Sequence, residues 1–312
     1  MKKILSKLAA CIVVFIITLF VSSGIYNKGN EELTTSMEQA SLPLVHIMTN
    51  GIPYNYLHGL KQEMDGSFFR DTITPLGEGR KLSFVVDKYG NTVSEISFEV
   101  RSVDGTRLVE RTKVSDYNDK DDTIRATVTI KDLIETGVEY NWILMLKVGN
   151  ETIRYYTRII DGEGYHAYEK LSFVRDFHDK TFDKEQAKDL AMYMESNARG
   201  DNTTLSHVDI HCSLKQVTWA DLNVTRISEP HVVISEIEPQ TASIRMNYRV
   251  QTLEGRKRDA YSVVEFYRVR YTPDRIYLLD YERTMNQLFE PDADVYGSNR
   301  IMLGIRDHEV QL

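Results

Sequence analysis

The residues best placed to do chemistry lie in Ser206-His-Val-Asp-Ile-His-Cys212. Read as a strand, this segment puts His207, Asp209 and His211 on one face and Val208, Ile210 and Cys212 on the other. Two imidazoles and a carboxylate could hold zinc or iron with positions left for water. The same alternation equally describes a solvent face over an apolar face, and alternate strand residues stand nearly 7 Å apart, which is long for shared ligation. Asp116-Tyr-Asn-Asp-Lys-Asp-Asp122 hints at calcium, but an EF-hand register fails, with Asp121 at the glycine position and Thr127 where glutamate belongs. An acidic hairpin loop is the plainer reading. Arg256, Lys257 and Arg258 fall in a turn and could touch a polyanion or lipid headgroups; a solvated turn accounts for them as well. His178, Asp179 and Asp183 cluster at an expected helix start, where carboxylates favour the helix dipole. No Gly-x-Ser-x-Gly elbow, Gly-rich phosphate loop or His-Glu-x-x-His occurs. No catalytic residue and no cofactor is therefore assigned, although a dispersed pair of carboxylates would leave no trace in spacing.

The elements that would position these groups are legible from apolar patterning. Leu8 to Val21 (LAACIVVFIITLFV) contains one polar residue, Thr18, and follows Lys2, Lys3 and Lys7. The tolerant span to Tyr26 approaches the roughly 20 residues a helix needs to cross a bilayer. A signal peptide cut after Gly24 is the alternative. Either way the lysines remain in the cytoplasm and the bulk is exported. Leu8-Ala9-Ala10-Cys11 imitates a lipoprotein box, but the apolar stretch follows the cysteine instead of preceding it. Residues 27–42 read as a polar stalk.

Period-two alternation then marks a series of half-buried strands. Ile96, Phe98 and Val100 form one, Asp104-Gly105 supplies a hairpin turn, and Leu108 and Val109 return. Ile124 to Ile130, Tyr140 to Leu146 and Ile153 to Ile159 continue the pattern. Within it, Ile134-Glu-Thr-Gly-Val-Glu-Tyr140 followed by Trp142 and Leu144 resembles the tyrosine corner of fibronectin type III and related immunoglobulin-like sandwiches. That resemblance covers residues 43–162. It implies a tyrosine hydroxyl tied back to its loop, structural roles for Ile134, Tyr140 and Trp142, and adhesion or presentation in place of catalysis. Thr136 stands where the family usually has proline.

Beyond Asp161-Gly-Glu-Gly164, a natural boundary, residues 163–284 read as an α+β domain. Leu171, Val174 and Phe177 have helical spacing. Asp183 and Gln186 open a second expected helix through Ala198, with Ala187, Leu190, Ala191 and Met194 inward. Strands are expected next at Val232–Ile237, Ala242–Val250, Ala260–Tyr271 and Ile276–Tyr281. Residues 285–312 form a tail or the start of a further domain.

The expected fold class is thus mainly β: an anchor, an immunoglobulin-like sandwich, then a helix with an antiparallel meander. The charge of −8 at pH 7 and a pI near 5.6 argue against nucleic acid as partner. Two cysteines exclude a disulfide framework, and only Cys212 is exported. Three functions remain open: a non-catalytic envelope module binding a protein or polymer, a hydrolase accessory or carbohydrate-binding subunit, and an extracytoplasmic sensor or solute-binding domain.

Overall fold

The computed structural model describes residues 2–26, 42–131, 133–254, 257–288, 296–297 and 300–301. The chain divides into two compact units, Met1–Ser41 and Leu42–Leu312. In the first, Lys2–Tyr26 is a 25-residue helix, α1. Among the described residues, no helix is long and apolar enough to cross a membrane. Residues 27–41 of the expected stalk (27–42), Arg256 and most of the tail fall outside the described residues.

The second unit is mainly β, with several antiparallel sheets. Its first half holds β1 (Leu44–Thr49), β2 (Ile52–His58), β3 (Ile73–Pro75), β4 (Lys81–Asp87) and β5 (Val93–Ser102). Then come β6 (Leu108–Val114), β7 (Tyr117–Lys120), β8 (Thr123–Thr129), β9 (Glu139–Val148) and β10 (Glu151–Ile160). They make two five-stranded sheets, ordered β2-β1-β4-β8-β7 and β3-β10-β9-β5-β6. Only β3 runs parallel to its neighbour, β10. Alternation decides the inner faces: Ile124, Ala126 and Val128 are buried while Arg125, Thr127 and Thr129 are exposed. Trp142, fully buried, bridges the two sheets, its ring 5.7 Å from Phe84 of the first and 6.1 Å from Phe98 of its own.

The alternation fails on β9, where Asn141 and Ile143, on the outer face, are buried too. The segment joining β2 to β3 lies across that face. Phe69 stacks on Tyr156 at 4.4 Å, and Met64 N–H donates to the Tyr156 hydroxyl at 3.0 Å. Gly66 packs so closely that a Cβ there would sit 3.0 Å from Asn141 Nδ2.

The second half begins with α2 (Ala167–Thr181), whose buried stripe includes Leu171, Val174, Phe177 and His178. Phe177 meets Tyr267 and Tyr281 at 5.7 and 5.3 Å. A six-stranded sheet comes next, built from β11 (His207–Asp209), β12 (Val224–Arg226), β13 (His231–Ile237), β14 (Thr241–Glu254), β15 (Lys257–Tyr271) and β16 (Ile276–Gln287). Its order is β11-β16-β15-β14-β12, with β13 also paired to β14. A short helix, α3 (Leu214–Val217), precedes β12. Two further strands, β17 (Tyr296–Gly297) and β18 (Arg300–Ile301), pair in the tail.

The helix expected from Lys184 to Ala198 does not form. Its cap does: Asp183 Oδ1 accepts from the backbone N–H groups of Glu185 and Gln186, and Gln186 Nε2 donates to Asp183 Oδ2 at 2.7 Å. The cap opens a 3-10 helix instead, Gln186–Tyr193. A three-residue period turns Ala187 and Leu190 inward and leaves Ala191 exposed.

The segment 161–164 is a packed joint. Gly162 is required by close approach, since a Cβ there would come within 2.5 Å of Pro75 Cβ. The main clasp between the two halves is Asn55. It is fully buried and sits at φ 47° in the irregular pairing of β1 with β2. Its amide donates to Ile73 O (2.8 Å) and Thr74 Oγ1 (2.9 Å), and its carbonyl oxygen accepts from Ile234 N–H (2.9 Å) on β13. Arg158 adds a bond to Ser235 O at 3.0 Å.

Candidate functional site

A buried constellation of ionisable groups lies under the six-stranded sheet, around a carboxylate that spacing alone does not announce. Val263, Glu265, Tyr267 and Val269 occupy successive inward positions of β15, so the strand's own alternation drives Glu265 into the core, where it is fully buried. Glu265 Oε1 accepts from the hydroxyls of Tyr248 (2.9 Å) and Tyr281 (3.3 Å). Glu265 Oε2 accepts from Tyr267 (2.8 Å) and pairs with His178 Nδ1 (2.7 Å). Four partners match the lone-pair capacity of a carboxylate. Burial alone would push its pKa up; His178, Arg283 and the Tyr267 hydroxyl outweigh that and hold it below the usual carboxylate range. Burial first, and the Glu265 charge second, push the three tyrosines well above their ordinary value, so they remain donors.

The network continues on both sides. Arg226 Nη1 lies 3.1 Å from His178 Nε2 and 2.9 Å from Asp179 Oδ1. Because a guanidinium only donates, this geometry fits an imidazole with its proton on Nδ1, directed at Glu265. Arg283, fully buried, donates to Val217 O (2.7 Å) and Gln216 O (2.8 Å), the carbonyl end of α3, and stacks over Trp219 at 3.7 Å. Lys170 on α2 is likewise buried. Burial draws its ammonium down to about 8, and it donates to the carbonyls of Tyr165, Glu238, Pro239 and Thr241.

Chemically, this centre is arranged to be kept. A general base needs a free lone pair within reach of a substrate proton, and Glu265 has each oxygen doubly engaged with no exposed surface. The centre ties α2 to β14, β15 and β16. The sequence does carry a signal for it: an acid and a base, Glu265 and Arg283, each interrupt the apolar face of a strand.

The residues singled out from spacing are mostly separated by the fold. β11 ends at Asp209, because Asp209 Oδ1 accepts the N–H groups of His211 (2.9 Å) and Cys212 (3.1 Å) and turns the chain. His207, Asp209 and His211 therefore do not share one strand face. His211 Nδ1 instead meets Asn197 Nδ2 at 3.1 Å. Among the described residues, no three His, Cys, Asp or Glu side chains are grouped to hold a metal ion. The apolar half of the expectation holds: Val208, Ile210 and Cys212 are buried. Burial raises the Cys212 thiol, and its Sγ donates to Asp201 O at 3.3 Å. Of the basic turn, Arg256 lies outside the described residues. The backbones of Lys257 and Arg258 belong to β15, opposite Glu254 and Leu253.

The acidic segment 116–122 includes the edge strand β7 and a tight turn, with Asp119 paired to Lys88 (2.6 Å) and Asp122 accepting from Gly90 N–H (3.0 Å). Asp183 caps the 3-10 helix. His178 and Asp179 lie instead in the last turn of α2 and join the Glu265 network. Ile134, Tyr140 and Trp142 are buried, and Glu135 N–H donates to the Tyr140 hydroxyl at 3.1 Å. Tyr140→Phe is expected to lose about 1 kcal/mol in chemical denaturation, the net worth of one such bond; an unchanged midpoint would deny the hydroxyl that role.

A second cluster sits where the halves meet. His46 and Tyr56 lie 5.3 Å apart, and Tyr56 stacks on His231 at 4.1 Å. Asp87 lies 3.3 Å from His46, and Arg125, Arg175, Glu229 and His58 contribute charge to this joint. Burial is the first cause lowering both His46 and His231; Asp87 opposes it at His46, while Arg125 and neighbouring histidines reinforce it. Folded values below 6.5 mean that the unfolded chain takes up protons first as pH falls. Stability is therefore expected to drop on acidification through this range. Urea midpoints at about pH 7.5 and pH 5 should differ less in His231→Phe, which keeps a ring against Tyr56 without the proton. An identical acid loss in the variant would assign the effect elsewhere.

Compared with known proteins, the chain matches no family model and no curated protein.

Proposed function

We propose that this chain is a membrane-anchored extracytoplasmic binding module without catalytic activity, its bulk held at the outer face of a bacterial cytoplasmic membrane to engage an envelope partner. One observation carries the reading. From Ile12 to Val21, nine large apolar side chains of α1 are 47–77% exposed. Unpartnered apolar surface on that scale calls for an apolar environment. The polar Thr18 is satisfied within the helix, its hydroxyl donating to Val14 O at 2.8 Å, as a bilayer demands. Lys2, Lys3 and Lys7 before the run orient it with the following chain outside.

The closed state of the Glu265 centre favours binding over turnover. The two packed sheets and the Tyr140 tie favour an immunoglobulin-like sandwich acting in presentation. Anchoring raises local concentration at the membrane, and sheet faces and loops supply contacts. The test is protease accessibility on intact cells with the inner membrane unbroken. Degradation of the region from Leu42 onward, with α1 retained in carbonate-washed membranes, is the expected result. Full protection, or recovery of the chain in the soluble cytosolic fraction, would overturn the reading.

A further inference from the structure

The segment between β2 and β3 covers only part of the outer face of the sheet β3-β10-β9-β5-β6. Past Ile143 and Tyr156 the face is uncovered and holds a groove of about 440 Å³. Register defines its floor. Lys113 lies opposite Ser97, Ser97 opposite Met145 and Met145 opposite Arg154, a row across four strands or about 14 Å. Arg111 stands two residues before Lys113 on β6, and Lys147 is next to Glu95 and Thr152 in the adjoining row. Four cations and one acid, Glu95, therefore line a groove in a chain whose net charge is −8. Each cation is held from beneath or from the side. Arg111 binds Glu99, which is itself buried and shared with Arg101; Lys113 lies 3.4 Å from Glu95; Lys147 donates to Asn150 O; Arg154 pairs with Glu63. The side chains of Arg111 and Lys113 remain 63% and 67% exposed.

We infer that this groove binds a linear phosphodiester polymer that lacks bases. The assignment deepens the binding-module reading and rests on it. Guanidinium forks and ammonium groups are the side chains that bind phosphate oxygens, and the lining row crosses four strands, a path an extended chain can follow. Among the described residues no aromatic ring lines it, so these residues offer no platform on which nucleobases could stack. No exposed large apolar side chain lines it either, which removes the insertion that lipid-surface binding uses.

The experiment uses the full chain in a neutral detergent and poly(glycerol phosphate) as probe, with binding followed by calorimetry across salt concentrations. The comparison is a variant carrying Arg111→Gln, Lys113→Gln, Lys147→Gln and Arg154→Gln. It is expected to bind about ten-fold more weakly or worse, with a shallower salt dependence, because fewer counterions are released. A control removing exposed cations on the six-stranded sheet, Arg245→Gln with Arg249→Gln, should bind as wild type. Matching thermal midpoints for all three would show that folding is intact. No binding by wild type, equal loss in the control, or equal or tighter binding of poly-glutamate or single-stranded DNA would each overturn the assignment. Because the anchored reading is tested by protease accessibility, an exported chain that ignores the polymer would sink this assignment alone.

Discussion

Replacing Glu265 by alanine should destabilise the fold by about 3–5 kcal/mol, the cost of leaving one side of a buried ionic arrangement without its partner. The side chain is fully buried, and its loss strands three tyrosine hydroxyls and the Nδ1 of His178. It also removes the Glu265 charge that acts on Arg283 in the core. Glu265→Gln tests which of these dominates. The amide keeps the shape but loses the charge and turns an acceptor into a donor facing other donors. If hydrogen bonding carries the site, Gln should be nearly as damaging as Ala. If packing carries it, Gln should lie close to wild type. Urea midpoints of the detergent-solubilised chain measure both. A loss below about 1 kcal/mol for alanine would show that the centre is not the stay between α2 and the sheet that its geometry describes.

The second large effect is expected at Asn55. Its amide and carbonyl make three buried hydrogen bonds that join β2, β3 and β13. Asn55→Ala leaves Ile73 O and the Ile234 N–H without this partner at about 1–3 kcal/mol each where no water enters, while Thr74 Oγ1 keeps the Thr157 hydroxyl at 3.3 Å. It also places a Cβ residue without asparagine's local bonding at φ 47°, at a cost of about 1 kcal/mol. Partial relaxation brings the expected total to about 4 kcal/mol. Asn55→Gly removes the backbone cost and keeps the hydrogen-bond cost, so it should recover about 1 kcal/mol of the loss. The shape of the transition is a second readout. With the clasp gone, the two-sheet half and the helix-sheet half should unfold in separable steps; a single steep transition in both variants would mean that other contacts couple the halves.

How much of this could be read beforehand depended on whether a signal was local. The strands of the first half were legible because inward and outward residues alternate within one segment, as in Ile124 to Ile130, whatever lies on the other side. The Tyr140 tie was legible for the same reason, since its partner is five residues away. The cap at Asp183 was local and correct. The helix drawn from it was not, because the choice between a 3.6-residue and a three-residue period depended on what Ala187 and Leu190 pack against. The strand expected through His211 stops short for a similar reason. Alternation continued through His211 in the sequence, whereas the carboxylate of Asp209 captured two backbone N–H groups and ended the strand.

The amino-acid sequence by itself determined the apolar run of α1, the strand-rich class and the inward-facing residues of most strands, since each arises from a period repeated within a short stretch. Only the tertiary structure decided the Glu265 centre, the Asn55 clasp and the cationic groove. Glu265 and His178 are 87 residues apart, Asn55 and Ile234 are 179 apart, and the groove gathers its cations from separate strands. Charged and polar side chains report their partners only after the strands are in register. Until then a buried, saturated carboxylate and a solvated one have the same spelling.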